Sequence, residues 1–226
     1  MKRSEINAAI TEAKELFAQC RFRLPPWADW SVEQWKQNPD TAKWCLERQM
    51  GWDVTDFQAG RYAEFGTLLF CLRNGQQDDA DGMPYAEKLM VVGESQYVPF
   101  HAHKVKMEDI IVRGGGNLVL EMFNTDEAGN RLETDVTVRT DGIARTVRAG
   151  APLVLKPGES ITIDRMLQHR FYGEPGKGTV LVGEVSQVND DHVDNYFFEP
   201  LPRFSSIVED EPALHPLWNE LPVGEI

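Results

Sequence analysis

Near the start of the chain, apolar residues recur at helical spacing: Ile6, Ala9, Ile10, Ala13, Leu16 and Phe17 form one i, i+3, i+4 stripe. A stripe of that period predicts an amphipathic helix with one face buried. Ser4, followed by Glu5, is its expected N-cap. The stripe gives out near Gln19 and Cys20, and Pro25–Pro26 break the chain before Trp27, Trp30 and Trp35 crowd a short segment. A second helix is predicted from about Thr41 to Gln49, with Asp40 as its cap and Trp44, Cys45 and Met50 on its apolar side.

From Thr67 the pattern shortens. Runs such as GTLLFCLRNG, MEDIIVRGGGNLVLEMFN, TDVTVRTDG and GTVLVGEVSQV are rich in β-branched and aromatic residues and are cut by Gly, Pro, Asn and Asp. Many short strands bounded by turn residues predict a sandwich or barrel. The architecture that fits is mainly β: a single-domain jelly-roll barrel with the N-terminal helices packed outside. The expected division is a helical segment over 1–60, the barrel over 61–189, and a segment over 190–226, richer in Pro and acidic residues, that wraps the same domain. No internal repeat or low-complexity tract interrupts this pattern.

Composition agrees and narrows the function classes. With 226 residues, 42% of them hydrophobic, the chain is long enough for one full core. Lys and Arg number 23 against 36 acidic residues, a formal charge of −13, and no basic run stands out. Nucleic acid and anionic membranes are therefore poor partners. The first residues lack an apolar signal core, and no stretch of about 18 apolar residues occurs that could span a bilayer. Cys20, Cys45 and Cys71 are odd in number and unclustered. This usage fits buried, reduced thiols in a cytoplasmic protein.

The candidate chemistry sits in two places. In FHAHKVKMED, His101 and His103 are two apart, so on a strand both rings leave the same face, and Glu108 follows after an irregular stretch. In LKPGESITIDRMLQHRFYG, a Pro157–Gly158 turn and a strand lead to His169. Three imidazoles and a carboxylate suit a divalent first-row transition ion. His192 and His215 match neither block and read as structural or surface residues.

These blocks resemble the two motifs of the cupins, HxH(x)3–4E(x)6G followed by a PG turn leading to a histidine, with Gly115 at the matching distance from Glu108. The gap from Gly93 to His101 and the strand before His169 are both longer than in the usual pattern. Cupins include isomerases, iron-dependent dioxygenases, and non-catalytic sugar-binding modules, so the fold alone does not name a reaction. The N-terminal helical segment, FHAHKVKMEDIIVRGGGNL, LKPGESITI and GEVSQVNDDHVDNYFF together resemble the D-lyxose isomerase family, from the first helix to about Arg203. That resemblance implies aldose–ketose isomerisation of D-lyxose to D-xylulose, and of D-mannose to D-fructose. It implies a Mn2+ centre, open to Fe2+, Co2+ or Zn2+, held by His101, His103, Glu108 and His169.

An isomerase also needs groups that move protons. Lys106, between His103 and Glu108, is expected to point into the same cavity. Glu184 lies mid-strand in an apolar run, where burial is expected to raise its pKa toward a working acid–base range. Of Asp190 and Asp191 at the end of that strand, Asp190 is the preferred sugar-binding residue, with Lys88 a further contact. The RGGGN run at Arg113–Asn117 lacks the Lys-Ser/Thr of a phosphate loop and reads as a tight turn. With no basic cluster to hold a phosphate, the expected substrate is a free sugar. Trp52, Phe100, Phe171 and Tyr172 are candidate walls of the pocket. A homodimer is expected, two-fold pairs being the commonest oligomers.

Overall fold

A computed structural model describes residues 1–223, so the last three residues of the predicted 190–226 segment lie outside the described residues. Three helices come first: α1 (Arg3–Gln19), α2 (Val32–Lys36) and α3 (Pro39–Glu47). The strands follow: β1 (Gly51–Thr55), β2 (Thr67–Asn74), β3 (Tyr85–Val92), β4 (Val98–His103), β5 (Glu108–Gly115), β6 (Leu118–Thr125), β7 (Arg131–Leu132), β8 (Val136–Thr140), β9 (Ile143–Val147), β10 (Leu153–Leu155), β11 (Ser160–Ile163), β12 (Gln168–Gly173), β13 (Val180–Gln187) and β14 (Asn195–Phe197). They form two antiparallel sheets, ordered β1-β2-β3-β13-β5-β11-β8-β9 and β10-β6-β12-β4-β14, with β7 paired to β6. The jelly-roll expectation holds, with the main core, including Met90, Ile110, Leu120, Met122, Ile161 and Val182, between the sheets.

Strand β13 shows why its sequence is almost continuously apolar. Val180 and Val182 face the barrel core, whereas Leu181 joins a second core with Ile6, Ile10, Phe17, Trp52 and Phe70. Helix α1 thus lays its predicted stripe on the outer face of the large sheet, and a strand covered on both faces has no polar side to show. The turn after β5 explains Gly115: at φ +76°, a side chain there would place Cβ 2.2 Å from the Thr179 carbonyl. Only glycine lets the end of β5 turn away this close to the backbone leading into β13.

Local boundaries differ from the sequence reading for identifiable reasons. Helix α1 begins at Arg3 with Lys2 as cap residue, and the Lys2 backbone N–H donates to the Glu5 carboxylate (2.7 Å). Ser4 is inside the first turn because its hydroxyl is taken by Asp210 (2.7 Å) in the C-terminal segment. Helix α3 begins earlier than predicted, with Pro39 in its first turn after Asn38, so Asp40 is a first-turn acid instead of a cap. Trp44 is 49% exposed, its ring covered by the Arg48 guanidinium 3.4 Å from the centroid. Strand pairing starts at Gly51 and ends at Phe197, outside the 61–189 limits drawn from texture.

The C-terminal segment is tied to α1 by Arg3, which is 2% exposed and pairs with Glu209 (2.7 Å) and Glu220 (2.5 Å). Charged hydrogen bonds of this kind contribute about 1.5–3 kcal/mol each when one partner is removed from a buried setting. Arg3→Ala is therefore expected to lower the urea midpoint by an amount equivalent to about 2 kcal/mol. An unchanged midpoint would show that the tail is not held through Arg3.

Candidate metal centre and its chamber

Strand pairing assembles the four predicted ligands. His101 and His103 leave one face of β4, and β12 pairs with β4 so that His169 lies opposite His101. Glu108 opens β5 in the other sheet, level with Ser186 of β13. One donor atom from each of the four residues lies within 4.8 Å of the others, and all four residues are buried. The Glu108 oxygens sit 3.3 Å from His103 Nε2 and 3.2 Å from His169 Nε2. Donors about 2.1 Å from a shared ion, at right angles to one another, are about 3 Å apart.

The orientation of the rings supports the same reading. Nδ1 of His101 donates to the Pro99 carbonyl (2.8 Å) and Nδ1 of His169 to the Leu167 carbonyl (3.0 Å). A carbonyl only accepts, so each Nδ1 carries the proton and each Nε2 presents a lone pair to the centre. His169 Nε2 is buried without a hydrogen-bond partner. An orphaned imidazole nitrogen aimed at a buried carboxylate and two other imidazoles fits a cation site. Burial and the neighbouring rings of His169 and His103 hold His101 well below the usual histidine range, which keeps it neutral as a ligand must be. Burial opposes the charge on Glu108, but His103 and Lys106 outweigh it and keep the carboxyl well below its usual range.

Beside this centre lies a buried charge relay. Lys106, in the loop between β4 and β5, donates to Glu184 on β13 (2.8 Å) and lies 3.1 Å from Glu108. Lys88 on β3 is level with Glu184 across the sheet, its ammonium 3.5 Å from the carboxylate, and the Ser186 hydroxyl donates to the same oxygen (2.9 Å). The expectation that burial would raise the Glu184 pKa is corrected. Burial does push it up, yet Lys106 and Lys88 overcome that push and the pKa is lowered. Burial likewise opposes the Lys106 charge, but Glu184 and Glu108 raise its pKa. Both groups are ionised at neutral pH.

The two aspartates just after β13 are placed differently. Asp190 faces away from the chamber: its carboxylate accepts from Gln49 Nε2 (2.9 Å) and the His192 backbone N–H (3.0 Å), which is a turn-stabilising role. Asp191, one residue on, is buried at the chamber wall and pairs with Arg203 (3.1 Å), which also reaches Asp53 on β1 (2.6 Å). Burial pushes Asp191 up, but Arg203 and then Lys88 pull its pKa far below the usual carboxylate range. Sequence reasoning weighs Asp191 without preferring it, and does not single out Arg203 and Asp194, the other polar residues around the site.

Of the aromatic candidates, only Phe171 lines the chamber, together with Phe57 and Phe197. Trp52 belongs to the α1 core and donates to the Ala28 carbonyl (2.8 Å), and Tyr172 donates to Glu121 (3.2 Å). Phe100 points to the opposite face of β4 from His101 and lines a larger cleft of about 580 Å³ with Arg131 and Arg170. The chamber lined by His101, His103 and Glu108 is tighter, about 60 Å³. The converging donors make the tighter space the candidate site, since no histidine lines the larger cleft. His192 is exposed, and His215 is buried against Trp52 with Nδ1 at the Trp30 carbonyl (3.1 Å).

Known proteins share this arrangement of the chain. The D-lyxose isomerase family model matches residues 1–221. A D-lyxose/D-mannose isomerase of Escherichia coli O157:H7 is 48% identical over 226 residues, covering 97% of this chain and 98% of that protein. One of Serratia proteamaculans is 46% identical over 224 residues, covering 96% and 95%. Among solved structures, L-ribose isomerase of Cellulomonas parahominis with L-ribose superposes with a TM-score of 0.60 at 16% identity, over 92% of this chain and 98% of that one. The Acinetobacter sp. DL28 enzyme in complex with L-ribose gives 0.61 at 17%, with the same coverage. At such low identity these two speak for a shared fold alone. The match from the first helix to the final turn, together with close relatives spanned almost end to end, shows that this chain belongs to the D-lyxose isomerase family.

Proposed function

We infer that the protein interconverts D-lyxose with D-xylulose, and D-mannose with D-fructose, using a divalent ion, Mn2+ with Fe2+, Co2+ or Zn2+ able to take its place, held by His101, His103, Glu108 and His169. The observation that carries this reading is the ionised Lys106–Glu184 pair, whose ammonium lies 3.1 Å from the ligand Glu108. A proton-transfer pair thus adjoins a cation site in one chamber. Its bound ion supplies Lewis acidity, drawing electron density from the sugar carbonyl and making the neighbouring C–H more acidic.

The remaining work falls to side chains of this chain. Glu184, ionised, takes the proton from C2 of the open-chain aldose to give a cis-enediol and returns it to C1. Lys106 holds the charge on the sugar oxygens and moves a proton between O1 and O2. Lys88 and Asp191, with Arg203 behind Asp191, meet the hydroxyls. Phe57, Phe171 and Phe197 keep water from the reacting carbons. The chamber cations Lys88, Lys106 and Arg203 are matched by Glu184, Glu108, Asp191 and Asp53. Little positive charge is left over for a phosphate, in keeping with a free sugar. The protein acts as a cytoplasmic homodimer in this reading.

Turnover of D-lyxose without oxygen, lost on EDTA treatment and restored by Mn2+, is the expected behaviour. A strict oxygen requirement would replace isomerisation with dioxygenase chemistry. The two aspartates give a finer test. Asp191→Asn leaves Arg203 short of one charged partner at the chamber wall and is expected to raise KM for D-lyxose about tenfold or more, the loss of a charged hydrogen bond. Asp190→Asn is expected to leave the kinetics unchanged. Equal effects from the two would mean that Asp191 does not contact the sugar.

A further inference from the structure

His103 differs from the other two imidazoles of the centre. His101 and His169 are each oriented by a backbone carbonyl of their own neighbourhood, two residues earlier in the chain. The Nδ1 of His103 instead faces Oδ2 of Asp194 at 3.2 Å. Asp194 is wholly buried, and Oδ2 and His103 Nδ1, which lie against each other, are both left without any aligned hydrogen-bond partner. The second carboxylate oxygen, Oδ1, accepts from the backbone N–H of Val105 (3.2 Å), the residue before Lys106. Asp194 itself is set in place by the Asp190–Asp194 turn, its own N–H donating to the Asp190 carbonyl (3.0 Å).

We propose that Asp194 is a positioning residue that orients His103 as a metal ligand through Nε2 and, through Val105, ties that ligand to the loop carrying Lys106. The proposal rests on the metal-centre reading above. Its chemistry is that of a carboxylate–histidine–metal arrangement, in which an outer carboxylate selects the ring tautomer and strengthens the ligand. A carboxylate suits this place because it offers two acceptors, and both neighbours are donors: His103 Nδ1–H on one side and Val105 N–H on the other. An amide offers one acceptor and one donor. Asparagine at 194 can serve His103 only by turning its NH2 toward the Val105 N–H. It can serve Val105 only by presenting NH2 to His103, which forces the proton onto Nε2 and removes the lone pair that binds metal. Either choice breaks one of the two links.

The test is the affinity of EDTA-stripped protein for Mn2+, measured by competition with a chelator and without any turnover assay. Asp194→Asn is expected to bind Mn2+ about 10- to 100-fold more weakly than wild type, the usual cost of losing such an outer partner. Wild-type affinity in the variant overturns the proposal while leaving the metal centre standing. Failure of the wild-type protein to bind any divalent ion overturns both.

A second measurement needs no variant and so does not depend on the variant folding. In 15N-labelled, Zn2+-loaded wild-type protein, His103 is expected to show a protonated Nδ1 and a metal-bound Nε2. The reverse assignment defeats the proposal. Where Asp194→Asn folds, the His103 Nδ1–H signal should shift or exchange away while those of His101 and His169 stay. A purely structural role for Asp194 would not single out one ring, so equal changes in all three would also count against it.

Discussion

Glu184→Gln is expected to retain its metal and lose turnover by about 10²- to 10⁴-fold, the span associated with removing a positioned acid–base group. The substitution is nearly isosteric, and an amide oxygen can still accept from Lys106 and from Ser186, which now donate at 2.8 and 2.9 Å. What disappears is the charge and, with it, the ability to take a proton from carbon. None of the four donor residues of the cation site is Glu184, so metal content per chain should match wild type. Deuterium from solvent should cease to enter the sugar at C1 or C2. Full rate in the variant would move the base elsewhere in the chamber.

The pH behaviour of the wild-type enzyme follows from the same ion pairs. Against the upward push of burial, Lys106 and Lys88 lower the pKa of Glu184 from the usual carboxylate range, so its carboxylate form is kept as pH falls from about 7 to about 5. Activity lost between pH 7 and pH 5 should therefore track release of metal, since ligand imidazoles must be neutral to bind. Excess Mn2+ should recover that part of the rate. A loss that no amount of metal repairs would place the titrating group at the base itself.

The legible parts of this site are those whose chemistry is local in sequence. His101 and His103 announce themselves because a two-residue step on a strand keeps one face, and Glu108 and His169 complete a set of three imidazoles and a carboxylate that suits a divalent transition ion. The sign of the Glu184 shift was not legible. The apolar run around it reveals burial, but the cations that reverse the effect of burial come from β3 and from the β4–β5 loop, brought close by the register that puts Glu184 level with Lys88. Asp190 and Asp191 show the same gap. Both are good turn formers, and what separates them is Arg203, whose position depends on the path of the C-terminal segment back to Asp53.

Strand β1 was hidden for a related reason. Trp52 and Val54 are apolar, but Asp53 and Thr55 between them give the run the look of a solvent-facing strand or a loop. Both are buried, because Arg203 neutralises Asp53 and Thr55 donates to the Arg203 carbonyl (2.9 Å). Helix α1 and the strands of the barrel proper were legible because their partners are apolar and hydrophobic periodicity alone carries the signal. Where a polar residue is buried by a partner more than a hundred positions away, periodicity misleads.

His169→Ala is expected to abolish metal binding and, with it, activity, while leaving the metal-free fold largely intact. The side chain is wholly buried on the central strand of the smaller sheet, between β6 and β4, so its backbone is held by pairing with Met122 and His101 whatever the side chain. The lost ring removes the donor beside Glu108, and a set of two imidazoles and one carboxylate is expected to bind a first-row ion far less well. Binding that favours the folded state stabilises it, by about 4 kcal/mol at a free metal concentration a thousandfold above Kd. Adding Mn2+ should therefore raise the wild-type Tm, and EDTA should lower it to the metal-free value. The variant's Tm should respond to neither. If His169→Ala gained stability from Mn2+ as wild type does, the ion would be bound elsewhere and the four-residue centre would lose its role.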